Sequence, residues 1–188
     1  MTDWPFGSLV PLHYGLAYAD PAWLYELYSA KGAAKSPQAQ YDCMTFDAMA
    51  ALPVSHLMRG DAALVMWATA PMLPDAFRLM DAWGFKFKTA GAWAKQSSTG
   101  RAWTFGPGYI LRSAAEFFLI GTIGSPPVRS RSIRNLIVEP VRGHSRKPEG
   151  GYELCESLYD GPYIELFSRK SRPGWDAWGN ETGKFDEK

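Results

Sequence analysis

Apolar residues along this chain fall into short blocks whose spacing switches between two periods, and that switching predicts strands separated by helices. Leu16-Ala17-Tyr18-Ala19 is a brief apolar run halted by Asp20-Pro21, as expected of a buried strand that empties into a loop. Residues 24–44 carry Lys31, Gly32, Lys35, Ser36 and Pro37 and read as a long polar loop. Thr45 can cap a short helix to about Leu52, and Ala62 to Trp67 reads as a second buried strand. Met72, Leu73, Ala76, Phe77, Leu79 and Met80 mark one face of a helix over Pro71 to Trp83, with Gly84 as its stop.

The second half repeats the pattern. Phe85 to Lys95 alternates partly as a strand, and Gln96 to Gly108 is a second long loop that contains Trp103 and Phe105. Ala114 to Ile120 reads as a strand and Asn135 to Val138 as a brief extended piece. Pro148 opens a helix to about Tyr159, and Gly161-Pro162 turns the chain into a strand over Tyr163 to Phe167. Trp175 to Trp178 supplies a final extended edge. The expected architecture is an α/β sheet with helices on both faces. No repeat or linker divides it, so one domain over residues 1–188 is expected. Loops this long inside a compact domain are usually functional.

Composition narrows the partners. The formal net charge is only +1, so any nucleic-acid surface must be a local patch rather than a global field. Eight tryptophans suit a core, and they also suit stacking on bases. Cys43 and Cys155 form no CxxC pair, and His13, His56 and His144 lack metal-ligand spacing, so no metal is expected. No apolar run is long enough to span a bilayer and no basic leader precedes one; a cytoplasmic protein without a membrane partner is the expectation.

The chemistry centres on Asp20. A carboxylate directly after a buried strand lies where open α/β sheets bind ligands, beyond the carboxyl ends of the strands. A turn-initiating aspartate before proline explains the same residue more simply. The wider pattern separates these readings. Asp20-Pro21-Ala22-Trp23 resembles the Asp-Pro-Pro-Trp motif of the MT-A70-like family of adenine N6-methyltransferases. The resemblance continues through Lys35-Ser36-Pro37, Tyr41 to Met44, Met66 to Thr69, Ala82 to Phe85 and Trp93-Ala94-Lys95. It extends over His144 to Pro148, Ile164 to Arg169 and Pro173 to Glu181, so that it covers residues 14 to 181 in the family's order.

What the resemblance implies is a Rossmann-like methyltransferase sheet with permuted motifs, the reaction loop early and the cofactor strand late. The absence of a G-x-G-x-x-G fingerprint agrees with that order. The implied cofactor is S-adenosyl-L-methionine. The implied reaction centre is Asp20, Pro21, Ala22 and Trp23, with alanine where the family usually has a second proline that would stiffen Pro21. The implied cofactor contacts are Asp20, Ser145, Lys147, Phe167, Arg169, Asn180 and Glu181. Glu165 either joins them or pairs with a neighbouring arginine. Lys31, Lys35 and Tyr41 form a lid over the acceptor base in this reading, and Lys95, Arg101 and Trp103 hold the strand. Arg129, Arg131 and Arg134 belong to a basic stretch suited to phosphates.

In the implied mechanism, Asp20 and the Pro21 carbonyl accept the two N6 hydrogens of adenine while Trp23 stacks on the base. DNA is favoured as substrate. RNA is the alternative, since both demand an unstacked adenine, and a nucleic-acid-binding pseudoenzyme of the same fold is the third reading. The chain leaves little room for a target-recognition domain, which makes a homodimer or a partner protein a further expectation.

Overall fold

The computed structural model describes residues 4–23, 43–106, 108, 110–143 and 146–186. The strands are β1 (Tyr14–Ala19), β2 (Met58–Ala68), β3 (Lys86–Gln96), β4 (Ala115–Ile123), β5 (Leu136–Pro140), β6 (Tyr163–Leu166) and β7 (Trp175–Trp178). They form one sheet in the order β5-β3-β4-β2-β1-β6-β7. The helices among the described residues are α1 (Phe46–Ala50), α2 (Leu73–Ala82) and α3 (Glu149–Leu158), with 3-10 turns at Val54–Leu57 and Ala70–Met72. The α/β fold with helices on both faces is as the pattern predicts.

Strand alternation explains the two faces. Along β2, Ala62, Leu64, Met66 and Ala68 belong to one core cluster and Ala63, Val65 and Trp67 to the other. The first cluster packs under Met49 of α1 and Ala76, Leu79 and Met80 of α2. The second packs under Tyr152, Leu154 and Cys155 of α3. Because β1 and β2 are buried on both sides, they read as unbroken apolar runs instead of alternating ones.

Direction matters more than composition for the site. β1 runs parallel to β2 and to β6, and β6 to β7. β4 is antiparallel to both β2 and β3, while β5 is parallel to β3. Six strands therefore share one direction and β4 opposes them. β1 lies between β2, its successor in sequence, and β6, which arrives late in the chain. The strand order thus switches at β1 and β6, and their carboxyl ends open a crevice of the kind that binds ligands in such sheets. The permuted order implied by the resemblance is present.

Most boundaries fall close to expectation. Thr45 caps α1 by accepting from the Ala48 N–H at 3.2 Å, and Gly84, with φ +83°, ends α2. β2 starts earlier than its apolar pattern suggests. Its first turn of ladder contains Arg59, whose guanidinium donates to the carbonyls of Asp160 and Gly161. The predicted loop after β3 contains pairing of its own, with bridges Gln96 to Trp103 and Gly106 to Ser113. Most of the predicted 24–44 loop lies outside the described residues.

Helix α3 has no side-chain cap of its own. Glu139, near the end of β5, supplies one: its carboxylate accepts from the N–H groups of Glu149 and Gly150 at 3.1 and 2.7 Å. That anchor satisfies two of the first-turn donors and places a negative charge at the positive helix end. Arg172 grips α3 from the β6–β7 connection through Glu149 and Glu156, and Trp175 Nε1 donates to Glu156 at 2.8 Å. Inside the helix, Gly151 faces Tyr18 and Trp67. A Cβ there would fall far inside contact distance of Tyr18 Oη and 3.2 Å from Trp67.

Gly151→Ala is expected to lower stability by about 1–3 kcal/mol in denaturant unfolding, despite alanine's better helix propensity. Adding Tyr18→Phe, which removes the clashing hydroxyl, is expected to recover part of that loss; equal losses in the single and double variants would contradict this packing account.

Candidate active site

Asp20 follows β1 directly and sits at the mouth of the β1/β6 crevice, its side chain 36% exposed. Its Oδ2 lies 2.8 Å from Lys147 Nζ. The same ammonium lies 2.8 Å from Glu116 Oε1, and Glu116 Oε2 lies 2.8 Å from Lys95 Nζ. Four charges from four separate segments thus form one alternating, neutral chain. Lys147 is only 11% exposed and also stands 5.7 Å above the Trp67 ring.

Local folding explains each placement. Asp20 and Lys95 leave strands that run the same way, so both emerge at the same edge of the sheet. Glu116 enters there on the opposing β4. Lys147 precedes Pro148, the N-cap residue of α3, whose first two N–H groups Glu139 holds at that edge.

The electrostatics follow from burial and pairing. Burial disfavours charge on Lys147, yet the two carboxylates more than offset it and hold the ammonium above its usual lysine range. Glu116 is likewise desolvated, but Lys147 and then Lys95 pull its carboxyl down to about 2. Asp20 behaves differently. Burial pushes its carboxyl above the usual aspartate range; Lys147 opposes the rise and Glu116 adds to it, with Arg169 a smaller opposing charge.

The reaction loop is pinned at its backbone. The Trp23 N–H donates to the Pro21 carbonyl at 2.8 Å, and the Met44 N–H donates to the Ala22 carbonyl at 3.0 Å. An i to i+2 bond of the first kind is a γ-turn centred on Ala22. It orients the Pro21 carbonyl without help from a second proline. Trp23 departs from expectation: its side chain is 4% exposed and belongs to the core cluster. Its backbone bridges Met44 while its ring packs in the core, so in this arrangement the ring is not an open stacking platform.

At the neighbouring strand end, Phe167 adopts φ +62°, a conformation costly for a residue with a side chain, and stacks on Trp83 with centroids 6.2 Å apart. Arg169 Nε donates to Glu181 at 2.8 Å and its guanidinium lies 4.7 Å from the Phe185 ring. Gly179 permits this closure: a Cβ there would meet the Ser168 backbone at 2.6 Å. Asn180 is exposed on the same turn. Glu165 is buried and accepts from Tyr152 Oη at 2.9 Å, while its Oε2 has no hydrogen-bond partner. Burial is the main reason its carboxyl rises to about 7, against the lowering influence of the tyrosine. Of the two readings for Glu165, cofactor contact or an arginine partner, the structure shows neither directly: its hydrogen-bond donor is Tyr152.

Other predicted residues spread more widely. Lys95 forms an ion pair with Glu116 at 2.8 Å. Arg101 and Trp103 are exposed beyond the end of β3, on the Asp20 edge. Arg129 pairs with Asp160 at 3.4 Å beside the start of β6, at the opposite edge of the sheet. Antiparallel β4 carries the chain away from the site before this basic stretch begins, so Arg129 does not share a surface with Asp20. Arg131 and Arg134 are exposed along the return towards β5. Lys31, Lys35, Tyr41 and Ser145 lie outside the described residues. Glu116 and Glu139 went unassigned from sequence; an isolated acid inside the apolar run Ala115 to Ile120 was the available signal, because a buried charge demands a partner.

The sequence profile of MT-A70 matches residues 14–181. The Type II methyltransferase M.MunI of Mycoplasma sp is 29% identical, with 95% of this chain and 82% of that protein aligned. A putative N(6)-adenosine-methyltransferase MT-A70-like protein of Medicago truncatula is 29% identical over 89% of this chain and 26% of its own length. The N(6)-adenine-specific methyltransferase METTL4 of Homo sapiens is 28% identical over 71% of this chain and 31% of its own length. With its permuted Rossmann-like sheet and a match that runs from β1 to the turn after β7, the chain belongs to the MT-A70 family.

Proposed function

We propose that this chain transfers a methyl group from S-adenosylmethionine to the N6 amino group of adenine in DNA, with Asp20 and the Pro21 carbonyl as the acceptors that orient that amine. The observation that carries the reading is a fixed pair of adjacent acceptors at the carboxyl edge of β1, one tied to Lys147 and the other to the Trp23 N–H. The 95% and 82% coverage shared with a Type II methyltransferase supports DNA over RNA.

An adenine amine is a poor nucleophile because its lone pair is delocalised into the ring. Lys147 occupies Oδ2 of Asp20, which leaves Oδ1 to accept one N6 hydrogen. A carbonyl oxygen carries two lone pairs, so Pro21 can accept the second hydrogen while keeping its γ-turn bond. Both contacts favour a pyramidal nitrogen with its lone pair free, and both strengthen as positive charge develops on N6. The proton released after transfer leaves toward Asp20, whose raised carboxyl range suits brief acceptance.

The crevice residues fit the cofactor's chemistry. Lys147 has a third N–H for a carboxylate, Asp20 offers charge to an ammonium, and the buried Oε2 of Glu165 is an acceptor without a donor. Arg169, Phe167, Asn180 and Glu181 line the adjoining turn, where ribose and adenine would be held. When bound, S-adenosylmethionine supplies an electrophilic methyl on a sulfonium, which leaves as a neutral thioether. No helix among the described residues is long and apolar enough to cross a membrane; the cytoplasm, where cofactor and nucleic acid meet, is the proposed site of action.

Labelled cofactor incubated with duplex DNA, single-stranded DNA and RNA, followed by nucleoside analysis, is expected to yield N6-methyladenine from DNA. Asp20→Ala should reduce transfer by about 10²–10³-fold, and undiminished transfer would remove Asp20 from the centre. Because the γ-turn at Ala22 suits proline's fixed φ, Ala22→Pro should keep kcat/KM within about threefold of the parent; a collapse would show that the loop is held differently.

A further inference from the structure

The connection between β3 and β4 carries the most exposed large apolar side chains among the described residues. It leaves the sheet at the edge that carries Asp20, and it folds into two short reversals. The first is closed by the Gln96–Trp103 bridge and the Ser97 N–H to Ala102 carbonyl bond at 2.8 Å. The second is closed by the Gly106 N–H to Ser113 carbonyl bond at 2.8 Å. Its outer end is apolar where solvent would demand otherwise: Ile110 is 95% exposed and Leu111 81%. Trp103 and Phe105, two residues apart, are both exposed as well, at 61% and 63%. An isolated exposed leucine is ordinary, but four large apolar side chains on one projection mark a contact surface.

Charge selects the occupant. Residues 96–114 contain Arg101 and Arg112 and no acid, and the Arg112 guanidinium lies 5.6 Å from the Phe105 ring. Aromatic faces with interleaved guanidinium groups suit stacked bases and their phosphates. Position agrees. The two roots of the projection are Lys95 and Glu116, which form an ion pair with each other, and Glu116 continues through Lys147 to Asp20. The projection is therefore anchored on the carboxylate at which an extruded adenine must arrive.

We propose that this projection is a wedge that enters the base stack of a DNA duplex beside the target adenine. Ile110 and Leu111 fill the gap, Trp103 and Phe105 stack on the bases exposed, and Arg101 and Arg112 meet the flanking phosphates. Opening a duplex costs the pairing and stacking of each base extruded, and apolar side chains inserted between base steps offset that cost. The inference rests on the DNA reading above and adds to it how a paired adenine is reached.

The test uses sheared DNA free of N6-methyladenine, native and heat-denatured, with the double variant Ile110→Ser/Leu111→Ser. Methyl incorporation into native DNA should fall at least about tenfold while incorporation into the denatured DNA falls less than about threefold. Equal losses on both, or none, would overturn the wedge. A binding measurement separates this from the catalytic reading: native DNA should quench tryptophan emission in the parent chain, and Trp103→Phe should remove most of that quenching. Quenching that disappears with Trp103→Phe supports the wedge even if no polymer is methylated; quenching that persists unchanged counts against it. If sedimentation shows a dimer that the double variant converts to monomer, the tip is a protein interface and the proposal fails.

Discussion

Lys147 holds two carboxylates that the fold brings from opposite directions, and the candidate site depends on that bridge. Without the ammonium, Asp20 and Glu116 would face one another as like charges in a poorly solvated crevice. With it, and with Lys95 on the far side of Glu116, the four groups are neutral together. Such a chain is a weak source of net stability, because desolvation consumes most of the Coulombic gain. What it supplies is position. Removing one member leaves a buried charge uncompensated, at a cost of about 3–5 kcal/mol, so the remaining geometries are few. A reaction that relies on an oriented amine needs that restriction more than it needs stability.

The permuted sheet is what makes the bridge possible. β1 delivers Asp20 early in the chain, β3 and the antiparallel β4 deliver Lys95 and Glu116 to the same edge, and the cap from Glu139 sets where α3 begins and hence where Lys147 stands. β6 then closes the other side of the crevice, with Phe167 held in a strained backbone at its end. Strain at that point is tolerated because Trp83 and Trp178 both pack on the ring. The projection after β3 shares its roots with the same ion chain, so substrate contact and acceptor geometry have a common mechanical base.

Much of this was legible in residue order. Apolar blocks located the strands and α2 because burial on one or both faces leaves a direct trace in the sequence, as in Leu16 to Ala19 and Met72 to Met80. The motif from Asp20 to Trp23 singled out the residues that follow β1, and Lys147 stands 2.8 Å from Asp20. Direction was not legible: nothing in Ala115 to Ile123 states that β4 opposes its neighbours, and that one reversal sends Arg129 to the far edge. Long-range pairing was also hidden. Glu116 and Lys147 are 31 positions apart in number, by subtraction, and meet only through the sheet. Ala22 looked like a loss of stiffness because a covalent restraint is visible in sequence, whereas the Trp23 N–H bond that replaces it is not.

Lys147 favours the ionised form of Asp20 against burial and against the charge of Glu116. The direct measurement is a carbon-13 titration of the Asp20 carboxyl in the parent chain and in Lys147→Met, with Lys147→Arg as the charge-retaining control. Asp20 should lose its proton at a pH above the usual aspartate range in the parent. Loss of the ammonium should move that midpoint upward, so that the acceptor carboxylate disappears earlier as pH falls, while arginine should largely hold the midpoint in place. A midpoint in Lys147→Met that equals or lies below the parent value would contradict the account.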